Sequence, residues 1–331
     1  MQLRISLTCQ FEQQRSETCD LAFSQDGKQL VSSDGNALYL WQLNGDGKWD
    51  YKRSYPYGQI AVLRFAPDLA FYLEEVSIKL ISFDGKEVAT FPCPPSPFWT
   101  ISPNLRWLVS NGRERTILLR DLVSHQSFSI PFPAFDRSGA GADHSDEVVG
   151  RFLFTPDYQQ LVLFTDSPEG SLHICSFDPE HRRIVLQKTL PEGMIDGIIS
   201  PNGKMLAIIV PNGQVFGYKE DIYIYDLKSL QLLHVFPQTT NERYNLLSFS
   251  PDCQYLISSK TNGWIDIFSL NTFDSVAQFA AHPGLSSHAT DPIGGLDWSK
   301  TGYIATGGAS VFENDMEKTD YTIKIWKVEE Q

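Results

Sequence analysis

The sequence has few cysteines and a shortage of positive charge. Its five cysteines among 331 residues are scattered and odd in number, and no Cys-x-x-Cys pair is present. This pattern favours small buried thiols in a reducing compartment over a disulfide framework or a thiolate metal site. With 27 Lys and Arg against 40 Asp and Glu, the formal net charge is −13. That balance argues against nucleic acid and anionic membrane surfaces as partners.

Long apolar runs are also absent. No stretch of about 18 apolar residues occurs, and the first residues contain neither an apolar signal region nor a cleavage site. We therefore expect a soluble, cytoplasmic protein. Apolar spacing typical of helices is missing as well, whereas short β-branched and aromatic runs bounded by Gly, Pro, Asp and Asn indicate strands.

What the chain does contain is one short pattern repeated along its length. A small residue closes an apolar strand, and a Pro or an acidic or Gly-containing turn follows it. The pattern occurs at Ser24, Ala66, Ser102, Thr155, Ser200, Ser250 and Ser299, with spacings of 36 to 53 residues. A period of this length is typical of a β-propeller. We predict an all-β fold with a single domain over residues 1–331. It is a seven-bladed propeller of four-stranded antiparallel blades, whose first strands end near residues 24, 66, 102, 155, 200, 250 and 299.

Two segments resemble a known family. Asp320-Tyr-Thr-Ile-Lys-Ile-Trp326 resembles the closing phrase of a WD-repeat blade, and the segment 22–30 resembles its opening strand and turn. The resemblance extends over residues 2–328. It implies a rigid, non-enzymatic interaction platform, and a ring closed by the N-terminal strand, which completes the C-terminal blade. Such closure removes an open sheet edge.

The resemblance also implies a polar network. In WD-repeat blades a His, a Ser or Thr, an Asp and a Trp commonly form a hydrogen-bonded chain. Only the last blade here can supply all four, as His288, Thr306, Asp320 and Trp326, with His282 as an alternative histidine. We interpret this set as structural, because no nucleophile with a positioned base accompanies it.

Four insertions depart from the minimal blade, at residues 132–147, 211–221, 281–294 and 309–320. All four belong to the two classes of connection that leave a propeller on one common face. Long loops on a rigid scaffold are usual binding elements, so we predict docking of a protein partner. Because these loops are acidic, a basic partner would be complementary to them. The alternative is that acidic loops are merely solvated. The predicted contact residues are Tyr55, Tyr57, Phe98, Asp143, Asp146, Glu313, Asp315 and Glu317, although Phe98 could instead begin a buried strand.

The central channel offers the main alternative function, that of a propeller enzyme such as a lactonase-like hydrolase. The charged residues predicted to line the channel are Asp20, Arg64, Arg151, Asp196 and Asp297. Neighbouring blades allow Asp20 to pair with Arg64 and Arg151 with Asp196, an arrangement more typical of a stabilised wall than of catalysis. We expect neither a metal nor a cofactor. A third possibility is peptide binding at the outer edge of a blade.

Overall fold

The computed structural model describes residues 3–56, 64–66, 69–74, 77–83, 85–92, 98–112, 116–131, 148–166, 171–190, 196–211, 220–238, 242–283, 292–313 and 316–331. Within them lie seven four-stranded antiparallel sheets and one two-stranded hairpin, which confirms the predicted all-β, seven-bladed architecture.

The strands follow one another around the ring in chain order. The N-terminal strand β1 spans Leu3–Phe11. Blade 1 contains β2 (Asp20–Phe23), β3 (Gln29–Ser33), β4 (Ala37–Leu43) and β5 (Trp49–Pro56). Blade 2 contains β6 (Arg64–Ala66), β7 (Leu69–Glu74), β8 (Ser77–Ser82) and β9 (Glu87–Pro92). Blade 3 contains β10 (Trp99–Ile101), β11 (Trp107–Asn111), β12 (Thr116–Asp121) and β13 (Ser127–Pro131).

The remaining blades have the same antiparallel order. Blade 4 contains β14 (Val148–Phe154), β15 (Gln160–Asp166), β16 (Leu172–Asp178) and β17 (Arg183–Leu190). Blade 5 contains β18 (Asp196–Ile199), β19 (Met205–Pro211), β20 (Glu220–Asp226) and β21 (Gln231–Phe236). Blade 6 contains β22 (Tyr244–Phe249), β23 (Tyr255–Lys260), β24 (Trp264–Ser269) and β25 (Ser275–Ala280). Blade 7 contains β26 (Ile293–Trp298), β27 (Tyr303–Gly308), β30 (Ile323–Glu330) and β1, and the hairpin β28 (Ser310–Glu313) with β29 (Met316–Thr319) is inserted into it.

The apolar core is divided among the seams between blades. Seven buried clusters are present, and each joins residues of two neighbouring blades, including the seam between blades 7 and 1. Alternate residues of one strand serve different seams: Ile323 and Ile325 face blade 1, whereas Trp326 packs with blade 6. This division follows from the period of two in a strand and explains why the inner strands are apolar on both faces.

A hydrogen-bonded turn recurs where a first strand ends, and it explains the repeated pattern in the sequence. In blade 5 the Ser200 hydroxyl donates to Asn202 Oδ1 at 2.8 Å and accepts the Met205 N–H at 2.9 Å. The same pair of bonds forms around Ser24, Ser102, Thr155 and Ser250. The recurring residue is therefore selected for its hydroxyl as well as for its size.

The third residue after that hydroxyl adopts a left-handed backbone conformation. Its φ lies between 49° and 78° at Gly27, Leu105, Tyr158, Gly203, Cys253 and Gly302. Glycine adopts this conformation without strain, whereas the three other side chains accept a local penalty. The turn is thus set mainly by its hydrogen bonds, because half of these positions lack glycine.

The ring closes through β1, as predicted. Strand β1 pairs antiparallel with β30, with Leu3 opposite Glu330, Ile5 opposite Val328 and Phe11 opposite Ile323, and a bulge interrupts the register between Leu7 and Cys9. The N-terminal strand therefore occupies the outer position of blade 7 and covers the edge of β30.

Candidate functional site

The strand directions divide the ring into two faces. In an antiparallel blade the connection from the second to the third strand emerges on the same side as the connection to the next blade. The four insertions at 132–147, 211–221, 281–294 and 309–320 are all of these two kinds. We call their side the loop-bearing face, and the side of the Ser200-type turns the turn-bearing face.

The predicted contact residues fall partly outside the described part of the chain. Tyr57, Asp143, Asp146 and Asp315 lie outside the described residues, and of Glu313 and Glu317 only the backbone is described. These two belong to the hairpin β28–β29, in which Glu313 is opposite Met316 and Phe312 is opposite Glu317. At the base of the hairpin, the Ser310 hydroxyl donates to Glu17 Oε2 at 3.1 Å, which ties the insertion of blade 7 to the segment that leads into blade 1.

The aromatic residues Tyr55 and Phe98 are both half-buried within the ring. Tyr55 packs at the seam of blades 1 and 2 against Ile81 and Phe83, and its ring fills the space that a side chain at Gly85 would need. Phe98 precedes β10, packs against the seam of blades 3 and 4, and lines the central cavity. Both rings take part in packing between blades, and their contact with a partner stays a prediction.

The central cavity has a volume of about 760 Å³ and is lined mainly by the first strands of the blades. Arg151 of blade 4 forms an ion pair with Asp196 of blade 5 across its wall. Asp20 accepts the N–H of Leu21 at 2.9 Å. The side chain of Arg64 lies outside the described part, so its predicted pairing with Asp20 stays a prediction.

Asp297 holds three blades together at the wall of this cavity. One carboxylate oxygen accepts the Phe23 N–H of blade 1 at 2.8 Å. The other accepts the Trp298 N–H at 2.8 Å and the Ser248 hydroxyl of blade 6 at 3.2 Å. Burial raises the pKa of Asp297 to about 6, although these three donors oppose the shift. Both oxygens are engaged by the fold.

Other reactive groups of the cavity are few. Among its lining residues that the structure describes, none is a histidine, and the only thiol is that of Cys19. Burial, together with Glu17, Asp34 and Asp20, raises the pKa of Cys19 to about 11. A thiol with this pKa is not a nucleophile at neutral pH.

A buried polar chain lies in blade 7, on the side of the loop-bearing face. His282 Nδ1 is 2.8 Å from Asp320 Oδ2, and His282 Nε2 is 3.0 Å from Thr306 Oγ1. Trp326 Nε1 donates to Thr306 Oγ1 at 3.1 Å. With the proton of a neutral imidazole on Nδ1, His282 donates to Asp320 and accepts from Thr306.

The histidine of this polar chain is not the one that the sequence predicted. His288, expected to join Thr306, Asp320 and Trp326, lies outside the described residues, and His282 holds the histidine position. Both histidines belong to the insertion 281–294, so spacing alone did not distinguish them. His282 is selected because it follows β25 directly, where its backbone N–H donates to the Gly263 carbonyl at 2.9 Å.

A buried lysine extends the polar chain. Lys324 Nζ donates to Asp320 Oδ2 at 2.8 Å and to the Ala281 carbonyl at 3.0 Å. Burial raises the pKa of Asp320, but the hydrogen bonds from His282 and Lys324 outweigh it and hold that pKa well below its usual range. Burial lowers the pKa of His282, which keeps the imidazole neutral despite Asp320. The arrangement joins the insertion that follows β25 to β27 and β30.

Comparisons with known proteins agree with this geometry. Residues 6–42 match the family model described as WD domain, G-beta repeat. No curated protein matches the chain. Among solved structures, the chain is similar to the β-propeller domain of Cps50 (Swd1) from Myceliophteria thermophila, with a TM-score of 0.70 and 16% identity, covering 98% of this chain and 99% of that chain. At this identity the likeness shows the fold. The chain is a β-propeller, and its segment 6–42 matches the WD-repeat model.

The segment matched by the family model contains a second polar network that sequence reasoning missed. In this WD repeat, Gln14 takes the place of the histidine: its amide donates to the Ser32 hydroxyl at 2.8 Å and its Oε1 accepts from Thr18 at 2.8 Å. Asp34 accepts from the Tyr39 hydroxyl at 2.7 Å. The signal was present as Ser32 and Asp34 at the second strand, but a glutamine in the histidine position concealed it.

Metal-ligand clusters and membrane-crossing helices are both absent from the described part of the propeller. No group of three or more His, Cys, Asp or Glu side chains there is arranged to hold a metal ion. No helix there is long and apolar enough to cross a membrane.

Proposed function

We propose that this WD-repeat propeller is a non-enzymatic interaction platform, and that it docks a basic protein partner on its loop-bearing face. WD-repeat propellers commonly serve as protein-interaction scaffolds. The observation that carries the proposal is the one-sided distribution of the insertions: every long connection leaves from the same side of a ring whose other side has short, hydrogen-bonded turns. A rigid ring with elaborated loops on one side is suited to presenting those loops to a partner.

The charge of the insertions indicates the kind of partner. Asp143, Asp146, Glu313, Asp315 and Glu317 belong to them, and the whole protein carries a formal net charge of −13. A negative field concentrated at a docking face accelerates the approach of a basic surface and orients it. Because Tyr55 and Phe98 are used in packing between blades, selection by charge is the main part of this proposal.

The features of the central cavity support the platform over a hydrolase. Its described charged groups bond to one another or to neighbouring N–H and hydroxyl donors, as in the pair Arg151–Asp196 and the three bonds to Asp297. General acid–base catalysis needs a group within reach of the substrate whose proton is free to move. The raised pKa of Asp297 would suit an acid, but both of its oxygens already accept hydrogen bonds.

The test compares association rates. The variant Glu313→Ser/Asp315→Ser/Glu317→Ser and the unchanged protein are used to recover partners from the native cell. The association rate constant of the recovered partner is then measured at low and high salt. We expect the variant to associate several-fold more slowly at low salt and to show a weaker salt dependence, because exposed charges act mainly on the encounter rate.

A matched control removes three acidic side chains from the opposite side. Asp46, Glu180 and Asp274 are exposed and lie in turns of the turn-bearing face. Replacing all three with serine changes the net charge by the same amount, so an effect of total charge alone would appear equally in both variants. Equal slowing by the two variants, or no slowing by the first, would contradict the proposed docking face.

A further inference from the structure

A groove of about 500 Å³ opens between blades 6 and 7 on the turn-bearing face. We call it the blade 6–7 groove. The turn that starts at Ser250 forms one wall and the turn that starts at Ser299 forms the other. Residues from β1 and β30 close its outer side. The volume lies in the range of sites that hold small ligands or single large side chains.

The groove exists because two neighbouring turns fail to meet. At other seams the left-handed residue of one turn approaches the turn of the preceding blade: a Cβ at Gly203 would lie 3.2 Å from Pro156, and one at Gly27 would lie 3.0 Å from Thr301 Oγ1. At Gly302 the only described atoms within 4 Å of such a Cβ belong to blade 7 itself, at Lys327 and Val328. Blade 6 makes no such approach there, and the seam stays open.

The floor of the groove is apolar and largely aromatic. The rings of Tyr255 and Trp298 are stacked with centroids 5.6 Å apart and an interplanar angle of 16°. Leu3 and Val328 lie beside them. Tyr255 and Trp298 are each 8% exposed, so the floor is buried but reachable from the groove. A flat aromatic floor in a recess is typical of pockets that anchor one large apolar side chain.

The rim of the groove carries a net negative charge. Among the lining residues, Asp252 and Glu330 are exposed at the rim against one positive residue, Lys300. The ammonium of Lys327, near Gly302, donates to the Thr301 carbonyl at 2.9 Å. Asp252 Oδ1 accepts the Ser250 hydroxyl and the Gln254 N–H, whereas its Oδ2 has no hydrogen bond among the described residues. Glu330 accepts from the Tyr255 hydroxyl at 3.3 Å, which holds its carboxylate over the aromatic floor. Carboxylates beside an apolar recess are complementary to a basic residue adjacent to an apolar one.

We propose that the blade 6–7 groove is a second docking site, which binds a segment of a partner protein through one aromatic or large aliphatic side chain flanked by lysine or arginine. The apolar side chain rests on Tyr255 and Trp298, and the flanking cations pair with Asp252 and Glu330. The site lies on the side opposite the loop-bearing face, so it is independent of the function proposed above.

The probe is a capped pentapeptide, Ser-Arg-Phe-Arg-Ser, titrated into the full-length ¹⁵N-labelled protein. Trp298→Phe assigns the indole signal of Trp298. We expect this signal to shift with saturation, and the peptides Ser-Glu-Phe-Glu-Ser and Ser-Arg-Ser-Arg-Ser to bind at least tenfold more weakly. The first of these comparison peptides lacks the charge complementarity and the second lacks the anchor.

The chain itself supplies a conservative way to remove the rim charge. Blades 3 and 5 have Asn104 and Asn202 where blade 6 has Asp252, and both accept the same turn hydrogen bond. Asp252→Asn therefore preserves the turn. Combined with Glu330→Gln, it should weaken the arginine peptide about fivefold or more and abolish its preference over the glutamate peptide. Asp157→Asn, the same change in the turn of blade 4, should have no effect.

A third variant tests the recess. Val328→Trp fills the groove and should eliminate the shift of the Trp298 signal. Three results would overturn the proposal: no shift at millimolar arginine peptide, equal binding of the three peptides, or unchanged binding to the Asp252→Asn/Glu330→Gln variant. Because the triple serine variant of residues 313, 315 and 317 should bind the peptide normally, a failure here is distinct from a failure of the loop-bearing face.

Discussion

At the residue scale, a few charged side chains join neighbouring blades or anchor a buried polar chain. Asp297 connects blades 6, 7 and 1, Arg151 and Asp196 connect blades 4 and 5, and Asp320 anchors the polar chain of blade 7. Each carboxylate has a different environment, so each responds differently to pH. The pKa of Asp297 is raised by burial, whereas that of Asp320 is lowered by its donors.

The raised pKa of Asp297 predicts a specific pH dependence. Its native pKa of about 6 exceeds the ordinary value of 3.8, so between these values the native state binds more protons than the unfolded chain. The contribution of Asp297 to stability is therefore fully present below about pH 4 and decreases as pH rises through 6. Asp297→Asn removes this dependence. We expect the unfolding free energy of the variant, relative to the unchanged protein, to rise by up to about 3 kcal/mol between pH 4 and pH 7, measured by urea denaturation.

Asp26→Asn is the control with the opposite sign. Hydrogen bonds from the Ser24 hydroxyl and the Lys28 N–H lower the pKa of Asp26, so its contribution is present above pH 3.8 and is lost as pH falls. The stability of Asp26→Asn relative to the unchanged protein should therefore decrease as pH rises. A difference that is independent of pH for Asp297→Asn would contradict the environment described for that carboxyl.

At the scale of the element, the recurrent turn is the feature that most blades share. The hydroxyl of its first residue completes two hydrogen bonds in a buried position, as at Ser200, which has no exposed surface. Ala66 of blade 2 has no hydroxyl, so this blade lacks the pattern in its full form. Blade 4 uses Thr155 in the same role, which shows that the additional methyl group is tolerated there.

Replacements at Ser200 test the role of the hydroxyl. Ser200→Ala leaves the Met205 N–H and Asn202 Oδ1 without this partner, and we expect a loss of about 1–2 kcal/mol in the free energy of unfolding. Ser200→Thr restores the hydroxyl, as in blade 4, and should remain within about 0.5 kcal/mol of the unchanged protein. Denaturant unfolding of both variants measures these two differences in free energy. Equal losses would indicate that size, and not hydrogen bonding, determines the residue.

The sequence predicted the repeat, the blade count and the closing strand, because a strand period of two and a regular spacing are local properties. It predicted less about the site. The choice between His282 and His288 depends on where β25 ends in space, and the packing of Tyr55 depends on the approach of Gly85 in the next blade. Both are tertiary contacts, and no spacing rule encodes them. The Arg151–Asp196 pair could be predicted from the sequence, because the two residues lie at matching depth in adjacent first strands.

At the scale of the whole molecule, stability depends on an unbroken ring. Among the described side chains, each of the seven apolar clusters lies at a seam and none lies within a single blade. Blade 7 is completed by β1 on β30, which brings together the two ends of the described chain. Opening this pairing exposes the edge of β30 and removes Leu3 from the cluster between blades 6 and 7. Ring closure is therefore the step on which the other seams depend.

A disulfide across the closing strands tests this dependence. Ile5 and Val328 are directly opposite in the register of β1 and β30, at a separation that antiparallel pairs and disulfides share. In Ile5→Cys/Val328→Cys, oxidation should link the strands and raise the free energy of unfolding by up to about 5 kcal/mol, because nearly the whole chain is enclosed in the loop. Reduction should reverse the gain. The native Cys9 does not compete effectively, since burial raises its pKa to about 12.

The register itself provides the control for that variant. Lys327 is opposite Ser6 and points to the other side of β30, so Ile5→Cys/Lys327→Cys should cross-link poorly under the same oxidant. Cross-linking is read from the mass of the intact protein and stability from thermal unfolding with and without reductant. Efficient linkage in both variants would mean that β1 slides on β30, and linkage without any gain in stability would mean that closure does not limit unfolding. The expected result, linkage and stabilisation only in the aligned pair, would establish β1 as the element that locks the ring.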